Sequence, residues 1–248
     1  MVRRGFQAAA ERLGAAIRAE IGLGLHDRLD PRQLADEYGV PVAPITDLIA
    51  EGASAASIRQ LIAVDRGCFS AATVIAGSGR LIVFNPAHAD GRLANSLTHE
   101  LAHLLLEHPF GPAIGPGGCR VWDRELEAEA DVLAATLLVP REAALACARA
   151  GLPHGVGAAH FGVSSDLMRW RTDHSGATRQ AQAAARARGI TLPRLTAADL
   201  RSVELELEWM RDLTVRQWLG VLKAWRIALA TGSVNSAIAV LQPPGTRA

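Results

Sequence analysis

The stretch Ser96-Leu97-Thr98-His99-Glu100-Leu101-Ala102-His103-Leu104-Leu105-Leu106 restricts this chain more than any other. Its leucines recur at helical spacing, and on a helix residues four apart point nearly the same way, so His99 and His103 stand one turn apart on one face. Two neutral imidazoles so placed can grip one Zn²⁺ at about 2.0–2.1 Å each. Glu100 lies roughly 60° around from His103, close enough to act as a base beside the ion without ligating it. Leu97, Leu101, Leu104 and Leu105 make the other faces apolar, so the three polar groups are carried inside the protein. Buried polar groups are costly unless satisfied, and a metal satisfies all three together.

A zinc site that keeps one position open needs a third protein ligand. Arg124-Glu125-Leu126-Glu127-Ala128-Glu129-Ala130-Asp131 opens a helix that becomes apolar at Val132, Leu133, Leu137 and Leu138. Glu125 and Glu129 share a face, and Glu127 lies about 160° around from Glu129. Each glutamate also suits the first turn of a helix in solvent, where acids are favoured. Spacing does not choose among the three.

The remainder reads as one mostly helical α+β core with a small antiparallel sheet, followed by a C-terminal helical extension. A helix is expected over 6–23, and Asp30-Pro31 opens a shorter one that stops near Gly39. A hairpin follows, with Ala72 to Ile75 and Leu81 to Phe84 as its apolar runs, closed by Asn85-Pro86. Helices are expected from Ala94 to Leu106, Arg124 to Val139 and Arg141 to Ala150. A seam near Gly189 to Pro193 divides a domain of residues 1–190 from an extension of 191–248, whose helices begin at Thr196, Thr214 and Ser233. Trp209, Trp218 and Trp225 fall in that extension, either stapling it down or forming an interface.

With 49% hydrophobic residues, 21% charged and a net charge of +1, the chain has ample core and no basic surplus. A disordered chain and nucleic-acid binding by bulk charge are excluded on that basis. No apolar run reaches the length of a membrane helix, and the N-terminus lacks the hydrophobic segment of a secretory signal. Cys68, Cys119 and Cys147 make neither a disulfide framework nor a metal clip, so a reduced cytoplasm is expected. Ala158 to Arg171 has the look of a helix-turn-helix turning at Phe161-Gly162-Val163-Ser164. Asp166 and Asp173 offset its arginines, so packing rather than DNA reading is expected. His26, His88, His108, His154, His160 and His174 read as surface or capping residues. His160 and His174, and more weakly Tyr38, could stabilise an oxyanion.

Two segments together make the pattern recognisable. Arg92 through His103 ends in His-Glu-x-x-His, and Glu127 through Pro140 reads Glu-Ala-Glu-Ala-Asp-Val-Leu-Ala-Ala-Thr-Leu-Leu-Val-Pro. The chain resembles the ImmA/IrrE family of bacterial zinc metallopeptidases from about residue 8 to about residue 180. Leu133 and Asn95 stand where that family usually carries phenylalanine. The resemblance implies a zincin-like fold and a cytoplasmic endopeptidase in which His99, His103 and Glu129 hold Zn²⁺ and Glu100 is the catalytic base. It also implies a protein substrate, a helix-turn-helix repressor cut in a stress response or in mobile-element or toxin–antitoxin control. A module of the same fold that grips such a partner without turnover is one alternative, though it has no need of Glu100. A DNA-binding regulator using residues 158–171 is the other.

Overall fold

The computed structural model describes residues 2–64, 69–76, 79–109, 123–189 and 213–230. The chain divides into two compact units, one of Met1–Gly22 with Leu29–Leu138, the other of Leu23–Arg28 with Val139–Ala248. The seam expected near 190 and the helices expected from Thr196 and Ser233 lie outside the described residues.

The first unit opens with α1 (Phe6–Glu20) and α2 (Pro31–Glu37). The Asp30 side chain accepts a hydrogen bond from Arg32 N, and Pro31 occupies the first position of α2, where a missing N–H costs nothing. β1 (Val42–Pro44) leads through short helical turns, including α3 (Ala55–Arg59), to the hairpin of β2 (Ala71–Ala76) and β3 (Gly79–Phe84). The sheet is mixed in the order β1-β3-β2, with β1 parallel to β3 and β2 antiparallel to it. The parallel strand departs from the expected antiparallel sheet because Val42 pairs with Ile82, forty residues away, a contact local pattern does not announce. β2 is left as an outer strand.

Asn85 turns the chain from β3 into α4 (Asp90–Leu105). It is buried, its N–H donates to Ser70 O, its side-chain amide donates to Phe69 O, and its Oδ1 accepts from Ala87 N. Arg92, one turn into α4, donates to Ser70 Oγ, which fastens the helix to the start of the hairpin. Leu93, Leu97, Thr98, Leu101 and Ala102 form the buried face of α4. α5 (Arg124–Leu138) begins at Asp123, whose carboxylate accepts from Glu125 N and Leu126 N, and it packs against both α4 and α1. Gly14 of α1 lets α5 approach closely, since a Cβ there would lie 3.0 Å from Thr136 Cγ2. Near the end of α5 the Leu137 carbonyl accepts from the fully buried Arg18 guanidinium at 2.6 Å. That cation suits the negative end of a helix whose last carbonyls lack partners.

The second unit contains α6 (Arg141–Ala150), α7 (His154–Phe161), α8 (Ser165–His174), α9 (Ala177–Ala187) and α10 (Val215–Ala230). α7 and α8 form the expected helix-turn-helix. Gly162 is left-handed at φ 66°, and the Ser164 hydroxyl caps α8 by accepting from Leu167 N. Arg171 is buried and donates to Val139 O at 2.7 Å, and Arg169 pairs with Asp166. Two of the three arginines that would make a basic reading face, Arg169, Arg171 and Arg179, are therefore occupied in pairing or packing. α10 opens with a reciprocal cap in which Thr214 N donates to Gln217 Oε1 and Gln217 N donates to Thr214 Oγ1. Trp218 and Trp225 are fully buried in this unit. Trp218 stacks on His160 at 4.0 Å, and Trp225 Nε1 donates to Gly151 O. Trp209 lies outside the described residues, as do Cys68 and Cys119. Cys147 is buried, and burial pushes its thiol up to about 12.

Candidate metal centre

α4 and α5 together build the site. His99 and His103 share the face of α4 turned to α5, and Glu127 meets them from the first turn of α5. His103 Nε2 lies 3.1 Å from His99 Nε2, Glu127 Oε2 lies 3.2 Å from His99 Nε2, and Glu127 Oε2 lies 3.6 Å from His103 Nε2. Four ligands at zinc bond lengths of about 2.0–2.1 Å stand about 3.4 Å apart at the corners of a tetrahedron. The three donors here span one face of such a figure. Two imidazole nitrogens and a carboxylate oxygen are also a donor set zinc favours. A cleft of about 360 Å³ beside them is lined by His99, Arg124, Glu127, Ala128 and Asp131.

Glu129, which the resemblance puts forward as the third ligand, is not part of this cluster. α5 turns its Glu127 and Asp131 side to α4, and Glu129 is carried about 160° away from Glu127 by the helical period. There it is fully buried and is gripped by Arg3 through Nε and through Nη2, the latter at 2.7 Å. The acidic motif thus separates into three tasks. Glu127 faces the imidazole Nε2 atoms, Asp131 Oδ1 lies 2.9 Å from His99 Nδ1, and the buried Glu129 pairs with the exposed Arg3.

Glu100 is placed by the sheet. Its Oε2 accepts from both Thr73 N at 2.9 Å and Thr73 Oγ1 at 2.7 Å, on the outer strand β2. Because the Thr73 N–H faces away from β3, the alternation of the antiparallel ladder turns Ala71 and Ile75 outward with it.

His108 was expected at the surface and is buried instead. Its N–H donates to His103 O while Glu107 N donates to Leu104 O, so α4 ends in a double 6→1 and 5→2 turn. Such a turn needs a left-handed residue, usually glycine, and here Glu107 fills it at φ 53°. That conformation costs an L-residue about 1–2 kcal/mol. It folds His108 back so that its Nδ1 lies 2.9 Å from His103 Nδ1. The strained residue is a signal the sequence carries only faintly, since nothing but a glutamate marks it.

The charges follow from these contacts. Burial opposes a charged His99, but the hydrogen bonds of Asp131 and Glu127 outweigh it and its pKa is pushed up to about 9. Burial, then the neighbouring His99, lowers that of His103. His160 and His174 are engaged within the second unit, His160 Nε2 with His26 O and His174 Nδ1 with Trp170 O. Tyr38 Oη donates to Glu20.

Residues 61–172 match the family model of the IrrE N-terminal-like domain, Peptidase M78. The matched segment is an IrrE N-terminal-like domain. The matched residues run from the hairpin through α4 and α5 to the end of the helix-turn-helix, so α7 and α8 are part of the IrrE N-terminal-like segment. No curated protein and no solved structure matches this chain. Among the described residues no helix is long and apolar enough to cross a membrane.

Proposed function

We propose that this chain is a zinc-dependent endopeptidase whose ion is held by His99, His103 and Glu127. The observation that carries this reading is the triangle of donor atoms at 3.1, 3.2 and 3.6 Å beside an intact Glu100. A zinc ion held there supplies a Lewis acid that polarises a peptide carbonyl and acidifies water. Glu100 is the base. Thr73 engages its Oε2, which leaves Oε1 to accept the proton released as water attacks and to deliver it to the departing amide nitrogen. The outward backbone of β2 offers an extended peptide a strand edge to join, flanking Glu100.

The family resemblance extends the reading to a cytoplasmic protein that cuts a helix-turn-helix repressor in a stress or mobile-element response. A partner-gripping module of the same fold has no use for a carboxylate fixed by two hydrogen bonds beside the donor triangle. DNA reading is disfavoured by the burial of Arg171. The test is zinc content together with cleavage of a repressor encoded beside the gene. Wild-type protein should hold close to one zinc per chain, His99→Ala or His103→Ala should lose most of it, and Glu100→Gln should keep it and stop cutting. Full zinc in both histidine variants would end the metal reading. Cleavage at the wild-type rate by Glu100→Gln would end the role of the base.

A further inference from the structure

The mechanism uses His103 Nε2 and leaves its other nitrogen unexplained. An imidazole that presents a lone pair at Nε2 carries its proton at Nδ1. The atom facing His103 Nδ1, at 2.9 Å, is His108 Nδ1, so that nitrogen must be an acceptor and the His108 proton must sit on Nε2. His108 Nε2 in turn faces Glu129 Oε2 at 3.6 Å, and Glu129 is fully buried and paired with Arg3. With both rings neutral, this arrangement makes the 2.9 Å Nδ1–Nδ1 contact, points the His108 Nε2 proton toward Glu129, and turns the His103 lone pair toward His99 and Glu127. The chain accepts a left-handed glutamate at Glu107 to bring His108 into the row.

We propose that His108 is a positioning residue for the metal centre, accepting the Nδ1 proton of His103 and itself facing the buried carboxylate of Glu129, which Arg3 holds. His99 has its own orienting group in Asp131, so each imidazole is fixed from behind by a different partner. Glu129, Arg3 and His108 then act through His103 and touch neither ion nor substrate. Arg3 precedes α1, so the segment leading into that helix is tied to the centre through three side chains.

This inference rests on the metal reading of the cluster, and the test separates the two. Zinc affinity of the full chain is measured by competition with a chelator for wild type, His108→Phe and His108→Asn. Melting of each zinc-free protein is recorded alongside as a check on folding. His108→Phe keeps a ring of similar size and loses the acceptor, and its affinity should fall about ten- to a hundredfold. The side-chain oxygen of His108→Asn can stand in for Nδ1, and that variant should recover most of the loss. Wild-type protein that takes up no zinc would sink the site reading and this inference with it. A wild type that binds zinc, with His108→Phe binding equally tightly, would overturn the role of His108 alone. Equal losses in both variants would assign the effect to packing and overturn it too. Should His108→Phe not fold, nitrogen NMR on zinc-loaded wild type still decides. His103 protonated at Nδ1 and His108 at Nε2 is expected, and the opposite tautomer of either ring overturns the proposal.

Discussion

Glu127 and Glu129 stand two residues apart on α5 and face opposite ways, Glu127 Oε2 at 3.2 Å from His99 Nε2 and Glu129 fully buried against Arg3. Substitutions at the two should therefore differ in kind. Glu127→Ala removes a donor atom and should strip most of the zinc, much as loss of a histidine does. Glu129→Gln keeps the donor triangle, leaves the largely exposed Arg3 without its carboxylate, and should lower the melting temperature only modestly. Its zinc affinity should fall less than that of Glu127→Ala. Metal analysis and thermal melting of the pair read this out, and the reverse order of zinc loss would restore Glu129 as a ligand.

The raised pKa of His99 predicts how zinc uptake depends on pH. Its folded value of about 9 lies above the ordinary 6.5, so in metal-free protein its stabilising charge is fully present below 6.5 and is lost as pH rises through 9. The melting temperature of zinc-free protein should fall across that window. Zinc must displace the same proton, so its affinity should rise over the same range, by up to about tenfold per pH unit. Asp131→Asn removes the strongest group raising the value and should move both transitions to lower pH. Melting and chelator competition from pH 6 to 10 test this, and a flat affinity profile would contradict it.

Thr73 links the sheet to Glu100, the proposed base. Its hydroxyl hydrogen bond to Glu100, at 2.7 Å, is one to a charged group and is worth about 1.5–3 kcal/mol. Thr73→Val should leave zinc content and KM near wild type and lower kcat about tenfold, because the carboxylate keeps only the backbone N–H. Thr73→Ser should restore the rate. Steady-state kinetics on the three proteins distinguish this from a packing effect, which would depress the serine variant as well.

The parts of this site that one helix defines are legible in the sequence, and the parts that two elements define are not. His99, Glu100 and His103 follow from the period of α4, and the hairpin, α5 and the cap at Asp30 follow from local pattern. The choice between Glu127 and Glu129 depends on which side of α5 meets α4, which is a matter of packing. Resemblance put forward Glu129, whereas packing brings Glu127 to the two imidazoles, and both glutamates belong to the same motif. His108 reads as a surface residue because its burial hangs on a left-handed glutamate in place of the usual glycine. The pairing of β1 with β3 and the contact of Arg3 with Glu129 join residues too distant for any periodicity to connect.

The tryptophans of the C-terminal helix give the last expectation. From sequence, a chain ending near Gly189 should fold and bind zinc with altered cleavage rate or partner affinity, or else aggregate because the tail covers an apolar face of the core. The structure favours the second outcome. Trp218 and Trp225 are fully buried within the second unit, Trp218 lying flat on His160 at 4.0 Å with an interplanar angle of 4° and meeting Phe161 edge-on. Rings of this size bury about 150–250 Å² each. Removing α10 uncovers His160, Phe161 and the face of α6 that α10 covers, a patch large enough to promote association. The truncated chain should aggregate, or melt well below the full chain. Trp218→Ala in the full chain should cost about 3–5 kcal/mol, as loss of a buried aromatic does. Size-exclusion chromatography and melting curves on both proteins make the test. A monomeric truncated chain that melts with the full one would show that α10 is dispensable to the second unit and return the tryptophans to a role in recognition.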